Sequence, residues 1–349
     1  MNTPPIQTAI CSFGMSGKVF HAPFVHANSG YNLNGVWERS KKTVHQYYPE
    51  VKSFDSLEEM LADESIELII VNTPNATHFD YSKKALLAGK HVIVEKPFVI
   101  TSEEGAELIE LAKRQQKKIS VYHNRRYDSD ALLLKKVLDE NVLGEIGEAE
   151  FHYDRFKKEL SPKVHKETPG PGAGILYDLG PHLIYEALQL FGKPDAVFAD
   201  DTIIRPISRV DDYFEVLLYY PGKRVRLKAN NQVRKAVPAF VLHGSKGSLL
   251  KSRADVQESD LIAGKMPGSN NWGIEPDTEK GLLLTEKNNE IAEQFVAAPP
   301  GNYMEYFDQM YKAIRFDEPV PVTAEDGLEV IKVIEAALKS NEERRVVDY

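Results

Sequence analysis

Cysteine is nearly absent from this chain of 349 residues. The single cysteine, Cys11, has no partner within the chain, so an intrachain disulfide is excluded and a reducing compartment is favoured. Long apolar runs are also missing, because none reaches the roughly 18 residues that a membrane-spanning helix requires. Residues 1–7 lack the basic and apolar regions of a secretion signal. Together these absences predict a cytoplasmic protein.

Positive charge is in deficit as well. The chain carries 43 Lys and Arg residues against 52 Asp and Glu residues, and the formal net charge of -9 disfavours nucleic acid as a partner. Internal repeats and low-complexity tracts are lacking. What remains is an ordinary globular composition, with 42% hydrophobic and 27% charged residues. The length suggests two domains and is ample for a real core.

A short apolar strand followed by a charged pair is the first candidate site. Residues 91–94 are predicted to form a buried strand, and Glu95, Lys96 and Pro97 follow it directly. Open α/β sheets bind ligands at the carboxyl ends of their strands, so Lys96 is a candidate for reaching a reacting atom. Partial burial would lower the pKa of this lysine towards the range useful for proton transfer. The alternative is a surface pair that merely ends the strand.

A glycine-containing turn follows the first predicted strand, Thr8 to Ser12. The sequence Ser12-Phe-Gly-Met-Ser-Gly17 matches the dinucleotide-binding pattern G-x-G-x-x-G, except that serine replaces the first glycine. Gly14 would let the backbone approach a pyrophosphate, and Gly17 would let the following helix pack on the strand. The free N–H groups of that helix would bind the phosphates. A strand–turn–helix without a ligand is the alternative.

An acidic residue ends the second predicted strand, which spans residues 33–37. Glu38 lies 21 positions after Gly17, where a carboxylate accepts hydrogen bonds from the ribose hydroxyls of NAD. Arg39, Ser40 and Lys41 follow at once, and such residues can hold the 2′-phosphate of NADP instead. A solvated charge run that opens the next helix is a third interpretation. The choice of cofactor is therefore contested here, and Glu38 favours NAD.

The first third of the chain alternates strands with helices. Alternation of elements of this size predicts an α/β domain with a parallel, doubly wound sheet, which we place at residues 1–122. The further elements predicted here are strands at 68–74 and 119–122, and helices at 57–61, at 83–87 and from a cap at Ser102.

The rhythm changes after about residue 145. Later stretches alternate apolar and polar residues with a period of two, and short turns such as Pro221-Gly222 join them. This pattern is typical of a large, mostly antiparallel open sheet, so residues 123–349 are predicted to form a second, α+β domain. The alternating or strand-like stretches are 149–156, 214–220, 225–229, 240–243 and 248–251.

Two features follow this sheet. Residues 264–281 are rich in Gly, Pro, Asn and Asp and predict a long loop around Trp272. The closing helix, 324–339, carries one apolar face and is a candidate to pack on the first domain.

The stretch from Gly170 to Tyr185 is the second candidate site. A glycine-rich loop leads into a helix, and Asp178 and His182 are four residues apart, so they would share one helix face. Pro181 is tolerated only in a first turn, which puts Asp178 near the helix N-terminus. A carboxylate beside an imidazole makes a proton-transfer pair in which histidine is the natural base. Alternatively, Asp178 is an N-terminal cap and His182 a core histidine.

Glu95-Lys96-Pro97, the glycine turn and Asp178-x-x-x-His182 together resemble the glucose-fructose oxidoreductase / inositol dehydrogenase / MocA family over essentially the whole chain. Three stretches are most similar to its scyllo-inositol dehydrogenase branch: 16–23, 122–126 and 176–182. The resemblance implies a Rossmann domain followed by a C-terminal α/β domain whose open sheet pairs subunits. It also implies NAD or NADP bound without metal, and a cis peptide bond between Lys96 and Pro97.

This resemblance implies an NAD(P)-dependent dehydrogenase that acts on a secondary alcohol of a polyol or sugar. His182 would take the hydroxyl proton and Asp178 would orient it. Lys96 would hydrogen-bond the same oxygen and stabilise the developing charge, and the division of work between lysine and histidine stays open. Two alternatives are a non-catalytic regulator of the same fold and an NAD-dependent glycosidase.

The candidate site residues form three groups, and no metal ligand is among them. A homodimer or homotetramer through the C-terminal sheet is expected, with a polyol or sugar as substrate and no membrane partner. The catalytic candidates are Lys96, Asp178 and His182, and the substrate-binding candidates are these three with Tyr127, Tyr153 and Arg155. The cofactor-binding candidates are Ser12, Gly14, Met15, Ser16, Gly17, Glu38, Arg39, Ser40, Thr73, Pro74, Asn75, His78, Glu95, Lys96 and Asn124.

Overall fold

The computed structural model describes residues 3–39, 42–287 and 290–349. The chain divides into two compact units. The first unit takes up two later segments in addition to the residues before Arg125, whereas the prediction placed only residues 1–122 in the first domain. The later segments of the first unit are Gln257–Trp272 and Asn302–Leu328, and the second unit comprises Arg125–Val256, Gly273–Gly301 and Glu329–Tyr349.

In the residues that the structure describes, six strands form the sheet of the first unit. They are β1 (Ile6–Ile10), β2 (Tyr31–Trp37), β3 (Lys52–Phe54), β4 (Leu68–Val71), β5 (His91–Glu95) and β6 (Ile119–Tyr122). All neighbours are parallel, in the order β3-β2-β1-β4-β5-β6. Every residue of β4 is fully buried, as expected of a parallel strand covered on both faces. The predicted doubly wound parallel sheet is confirmed.

The described part of the second unit contains one sheet of nine strands. They are β7 (Ile146–His152), β8 (Ala196–Thr202), β9 (Tyr213–Tyr220), β10 (Lys223–Asn230), β11 (Phe240–Gly244), β12 (Gly247–Lys251), β13 (Gly281–Lys287), β14 (Glu290–Val296) and β15 (Val347–Asp348). Their order is β14-β13-β12-β11-β7-β10-β9-β8-β15, and only the β7–β10 pair is parallel. This confirms the predicted large, mostly antiparallel sheet.

The two faces of the second sheet differ in chemistry. Phe214, Val216 and Leu218 of β9 are fully buried, as period-two alternation predicts. The opposite face is polar: Arg226 lies 2.5 Å from a Glu150 carboxylate oxygen and 2.9 Å from one of Glu215. Alternation along each strand thus separates an apolar core from a charged face.

Eleven helices are found in the described residues, together with a π-helical turn at Gly17–His21 and several 3₁₀ turns. None of these helices is both long and apolar enough to cross a membrane. The helices are α1 (Ala22–Ala27), α2 (Leu57–Ala62), α3 (His78–Leu87), α4 (Ser102–Gln115), α5 (Ser129–Asp139), α6 (Val164–Glu167), α7 (Gly174–Asp178), α8 (Gly180–Phe191), α9 (Gln257–Ile262), α10 (Met304–Phe316) and α11 (Ala324–Glu343).

The cap of α4 lies one residue before its predicted position. The Thr101 hydroxyl accepts the Glu104 N–H at 3.3 Å, and the Glu104 carboxylate reaches back to the Thr101 N–H at 3.4 Å. This reciprocal pair is a capping box, so Thr101 caps the helix and Ser102 is its first residue. The prediction of Ser102 as the cap was wrong because Thr and Ser are adjacent and both suit the position.

Candidate active site

The glycine turn after β1 is closed by the serine that departs from the usual pattern. The Ser12 hydroxyl accepts the Gly14 N–H at 3.3 Å, and the Ser12 carbonyl accepts a hydrogen bond from the Asn72 side chain at 2.9 Å. A side-chain carbon built on Gly17 would lie 2.1 Å from the Ser12 carbonyl oxygen. Gly17 is therefore required for the following helical turn to pack on β1, which is the role of the third glycine in dinucleotide-binding turns.

Glu95, at the end of β5, ties this turn to the sheet. One of its carboxylate oxygens accepts the Ser16 hydroxyl at 2.6 Å and the ring N–H of His21 at 2.8 Å. Burial alone would raise the pKa of Glu95. The hydrogen bonds from His21 and Ser16 and the charge of Lys96 outweigh burial and hold this pKa at about 2. Glu95 is thus ionised at neutral pH and stabilises the glycine turn through these hydrogen bonds.

Lys96 follows Glu95 and is half-buried at the carboxyl end of β5. The Lys96–Pro97 bond is cis, which confirms the predicted isomer. The Pro97 carbonyl lies 2.7 Å from Nδ1 of His78, and the Thr73 carbonyl lies 2.9 Å from Nε2 of the same ring. His78 is fully buried and links the ends of β4 and β5. A direct contact of His78 with a cofactor stays a prediction. Because the ring is buried between these two carbonyls, its position indicates that His78 holds the two strand ends in place.

A cavity of about 520 Å³ opens beside the glycine turn, at the carboxyl ends of β1, β2 and β4. This is the edge at which a doubly wound sheet binds its ligands. The predicted cofactor residues that line it are Ser12, Gly14, Met15, Glu38, Arg39, Thr73 and Pro74. The other lining residues are Cys11, Phe13, Lys18, Trp37, Thr43, Thr77 and Tyr81.

Glu38 does not present a free carboxylate to this cavity. One of its oxygens accepts the N–H and the hydroxyl of Thr43 at 2.7 and 3.1 Å. The other accepts the Val44 N–H and the Ser53 hydroxyl, each at 3.2 Å. A carboxylate offers about four acceptor positions, so the protein itself fills them. Arg39 is exposed and lines the cavity, whereas Ser40 and Lys41 lie outside the described residues.

Asp178 and His182 lie in the second unit, on two consecutive helices rather than one. Asp178 ends α7, Leu179 joins the two helices, and α8 begins at Gly180 with Pro181 in its first turn. The prediction of Pro181 in a first turn is confirmed, but that of a shared helix face was wrong, because the first turn starts after Asp178. Asp178 forms an ion pair with Lys166 of α6 at 2.5 Å.

Tyr153 is the centre of a cluster of arginines in the second unit. The guanidinium carbons of Arg155, Arg253 and Arg125 lie 4.5, 4.6 and 5.4 Å from the centre of its ring. The His182 ring is 6.3 Å away, centre to centre. Three of the predicted substrate-binding residues, Tyr153, Arg155 and His182, are thus brought together within this unit.

Two further predicted site residues lie near the boundary of the units in the sequence: Tyr127 in the second unit and Asn124 in the first. Tyr127 is buried, and the Arg126 guanidinium lies 5.4 Å from its ring centre. Arg126 also donates to the Tyr185 hydroxyl at 2.8 Å. Asn124, predicted to bind the cofactor, is buried in the 3₁₀ turn that follows β6.

The two halves of the sequence match two models of one family. Residues 6–123 match the oxidoreductase family with an NAD-binding Rossmann fold, and residues 135–349 match the C-terminal alpha/beta domain of the same family. The chain belongs to the Gfo/Idh/MocA oxidoreductase family. The predicted resemblance is confirmed.

Relatives of this oxidoreductase share nearly its full length. The uncharacterized oxidoreductase YdgJ of Escherichia coli is 37% identical over 97% of both chains. The scyllo-inositol 2-dehydrogenase (NADP(+)) IolW of Bacillus subtilis is 35% identical over 98% of this chain and 95% of its own. Among solved structures, an oxidoreductase from Bacillus cereus matches with a TM-score of 0.90 and 31% identity, over 99% of this chain and 98% of the other.

Family membership answers two of the predictions. The protein is an oxidoreductase, and its first unit has the NAD-binding Rossmann fold of the family. The glycine turn, its close packing at Gly17 and the cavity beside it fit a dinucleotide. The individual catalytic, cofactor-binding and substrate-binding assignments stay predictions.

The sequence did not predict several residues that line the cavity beside the glycine turn. Lys18 lies one residue after the glycine turn and Trp37 one residue before Glu38, so both could have been found by extending those motifs by one position. Thr77 and Tyr81 lie one position before and three after His78, at the start of α3, and no local pattern distinguishes them. The Arg253 contact with Tyr153 depends on the pairing of distant strands and has no local signal.

Proposed function

We propose that this oxidoreductase transfers hydride between a secondary alcohol of an inositol-like polyol and the nicotinamide of NADP. The observation that carries the proposal is the likeness to IolW, which extends over 98% of the chain. Lys96, Asp178 and His182 are present together at the positions on which the family resemblance rests. YdgJ is named an oxidoreductase and IolW a dehydrogenase, which favours catalysis over a purely regulatory role.

In this proposal the protein's own side chains handle the proton while the nicotinamide accepts the hydride. His182, a buried imidazole, takes the proton of the substrate hydroxyl. Asp178 orients the imidazole, and the ion pair with Lys166 fixes the carboxylate. Lys96 donates a hydrogen bond to the reacting oxygen and stabilises the charge that develops on it. Tyr153 and Arg155 hold neighbouring hydroxyls of the substrate.

The preference for NADP is argued from the contacts of Glu38. NAD selectivity at this position needs a carboxylate that accepts the ribose hydroxyls. The Glu38 carboxylate already accepts four hydrogen bonds, so little acceptor capacity is left for a ribose. The same donors disperse its charge, which weakens its repulsion of a 2′-phosphate. Arg39 stands exposed on the cavity and can pair with that phosphate. This revises the initial preference for NAD.

The test is a panel of inositols, other polyols and sugars, each measured with NADP and with NAD by nicotinamide absorbance. We expect turnover of at least one inositol isomer and a kcat/KM at least tenfold higher with NADP. Absence of turnover across the polyols, or turnover confined to simple sugars, would reject the substrate class. Hydrolysis of a chromogenic glycoside without net reduction of cofactor would instead support the glycosidase alternative.

A further inference from the structure

The short helix α7, which ends at Asp178, is held at its start by a residue distant in sequence. Asp211 accepts the Leu176 N–H on Oδ2 at 2.8 Å and the Ile175 N–H on its main-chain carbonyl at 3.0 Å. The first N–H groups of a helix have no partner within it, and Ala173, the residue before α7, offers no capping side chain. Asp211 therefore supplies the cap that the local sequence lacks.

Gly174 indicates how closely Asp211 approaches this helix. A side-chain carbon built on Gly174 would lie 1.6 Å from Oδ1 of Asp211. Gly174 also has a φ of +89°, which glycine adopts far more readily than any other residue. The close approach of Asp211 to the start of α7 thus requires a glycine at position 174. From α7 the chain continues through Leu179 directly into α8, which carries His182.

A second carboxyl group faces Asp211 from β8. The Asp212 N–H donates to the Thr202 carbonyl at 3.2 Å, which sets residues 201–202 beside residues 211–212. The Asp201 carboxyl group contacts that of Asp211, while its Oδ1 is buried without a hydrogen-bond partner. Its main chain is fixed by the Asn341 amide, which accepts the Asp201 N–H at 3.2 Å and donates to the Asp201 carbonyl at 3.0 Å. Two carboxylates in hydrogen-bond contact repel strongly, so one of them must hold a proton. Asp211 accepts helix N–H groups, so Asp201 is the proton donor.

The charged residues around this pair are engaged elsewhere. Asp200, next to Asp201 on β8, lies 3.4 Å from Arg344. Asp212, next to Asp211, accepts from Arg205 at 2.7 Å. Each arginine is thus paired with an adjacent carboxylate rather than with the pair itself.

Burial and the neighbouring charges favour the protonated form. Burial, the hydrogen-bonded Asp211 and the nearby Asp200 raise the pKa of Asp201 to about 8. Burial also raises the pKa of Asp211, while hydrogen bonds from the helix N–H groups and from Asp201 oppose that effect. Near neutral pH, Asp201 therefore keeps its proton and Asp211 is the acceptor.

We propose that Asp201 and Asp211 share one proton and so act as positioning residues for α7 and Asp178. Asp178 has a catalytic part only under the function proposed above, whereas the shared proton is measurable without any substrate. Loss of the proton at alkaline pH places two anions side by side beneath α7. The helix then loses its defined position, and turnover falls without a change in cofactor binding.

The decisive variant is Asp201→Asn, with Asp200→Asn as the matched control on the same strand. The Asn amide still donates to Asp211 but cannot titrate. In ¹³C NMR of aspartate-labelled wild type, we expect one carboxyl resonance to titrate near pH 8 and to vanish in Asp201→Asn but not in Asp200→Asn. Titration of every aspartate below pH 5 would overturn the shared proton.

The positioning role is tested by the pH profile of kcat with any polyol that is turned over. We expect Asp201→Asn to move the alkaline fall of kcat upward by at least one pH unit, while the KM for cofactor and the profile of Asp200→Asn stay unchanged. An alkaline limb unchanged in Asp201→Asn would overturn positioning even if the NMR result holds. If no polyol is turned over, the proposed function fails. In that case the pH dependence of unfolding decides: wild type should lose stability between about pH 4 and 8, and Asp201→Asn should not.

Discussion

The Ser16 hydroxyl donates a hydrogen bond of 2.6 Å to the Glu95 carboxylate, so the residue before Lys96 holds the glycine turn. Two motifs 79 residues apart in sequence are thereby joined at one edge of the first sheet. His21, fully buried, donates to the same carboxylate oxygen at 2.8 Å and completes the link. Glu95 of the Glu-Lys-Pro motif therefore supports the glycine turn, whereas a part of Lys96 in the chemistry is a prediction.

The first prediction concerns Lys96. Lys96→Ala should lower kcat by roughly 10²–10⁴-fold, as is typical for loss of an acid–base group. Cofactor affinity should stay within about threefold, because the cavity lining does not include Lys96. Quenching of the fluorescence of Trp37, which lines that cavity, by added cofactor measures cofactor binding independently of turnover. Lys84→Ala, an exposed lysine paired with Glu58, is the control. A Lys96→Ala enzyme with more than half of normal turnover would contradict the role.

The second prediction concerns acid stability. The pKa of Glu95 is held at about 2, below its ordinary value of 4.5. Its contribution to stability is therefore fully present above about pH 4.5 and is lost as the pH falls towards 2. The difference corresponds to roughly 3 kcal/mol. Urea unfolding of wild type should show this loss, and Glu95→Gln should not. Glu64→Gln, an exposed site on the same unit, should behave as wild type.

The third prediction concerns Gly17. Gly17→Ala places a methyl group 2.1 Å from the Ser12 carbonyl oxygen, so the turn must shift. We expect a destabilisation of about 1–3 kcal/mol and a loss of cofactor-dependent quenching of Trp37. Gly147→Ala on β7 is the control, because nothing lies within 4 Å of the added carbon. Normal cofactor affinity in Gly17→Ala would show that the turn does not contact the dinucleotide.

The fourth prediction concerns assembly. The polar face of the second sheet carries Arg226 with Glu150 and Glu215, and the family resemblance expects this face to pair subunits. Light scattering at micromolar concentration should give a mass of at least twice 39.3 kDa. Arg226→Glu should shift the equilibrium towards the monomer, whereas Arg114→Glu on α4 should not. A wild-type species of 39.3 kDa alone would reject self-association.

The sequence predicted the folds of both units because their signals are local. Apolar runs such as Leu68–Val71 and alternation such as Phe214–Tyr220 declare parallel and antiparallel strands directly. Strand β8 was missed, since Asp200 and Asp201 give it a low strand propensity. The segments 257–272 and 302–328 return to the first unit through long-range packing, which no local pattern reports.

The site was predicted less completely, because the spacing of residues in the sequence does not show where their side chains point. The position of Glu38 at the end of β2 was right, but Thr43, Val44 and Ser53 take its carboxylate. The break at Leu179 between Asp178 and His182 had a signal, since Pro181 already required a new first turn there.

The last prediction concerns the choice of cofactor. If Arg39 binds the 2′-phosphate, Arg39→Ala should weaken NADP binding at least tenfold, or about 1.4 kcal/mol, and leave NAD binding nearly unchanged. The effect on NADP should shrink as salt rises, because an exposed charge pair is screened. Arg114→Ala, an exposed arginine on α4, controls for the loss of one positive charge.

The variant Glu38→Gln distinguishes a structural role of Glu38, called a brace here, from a direct contact with the ribose of the cofactor. Gln keeps one oxygen acceptor but replaces the other with an N–H donor, which cannot accept from Val44 and Ser53. If Glu38 only holds its loop in place, loss of these bonds should weaken the binding of NAD and NADP equally. It should also lower the free energy of unfolding by about 1–3 kcal/mol. A carboxylate that receives the ribose hydroxyls should weaken NAD selectively and raise the NADP preference. Titrations of Trp37 fluorescence with each cofactor distinguish the two outcomes, and a selective loss of NAD would reject the assignment of Glu38 as a brace.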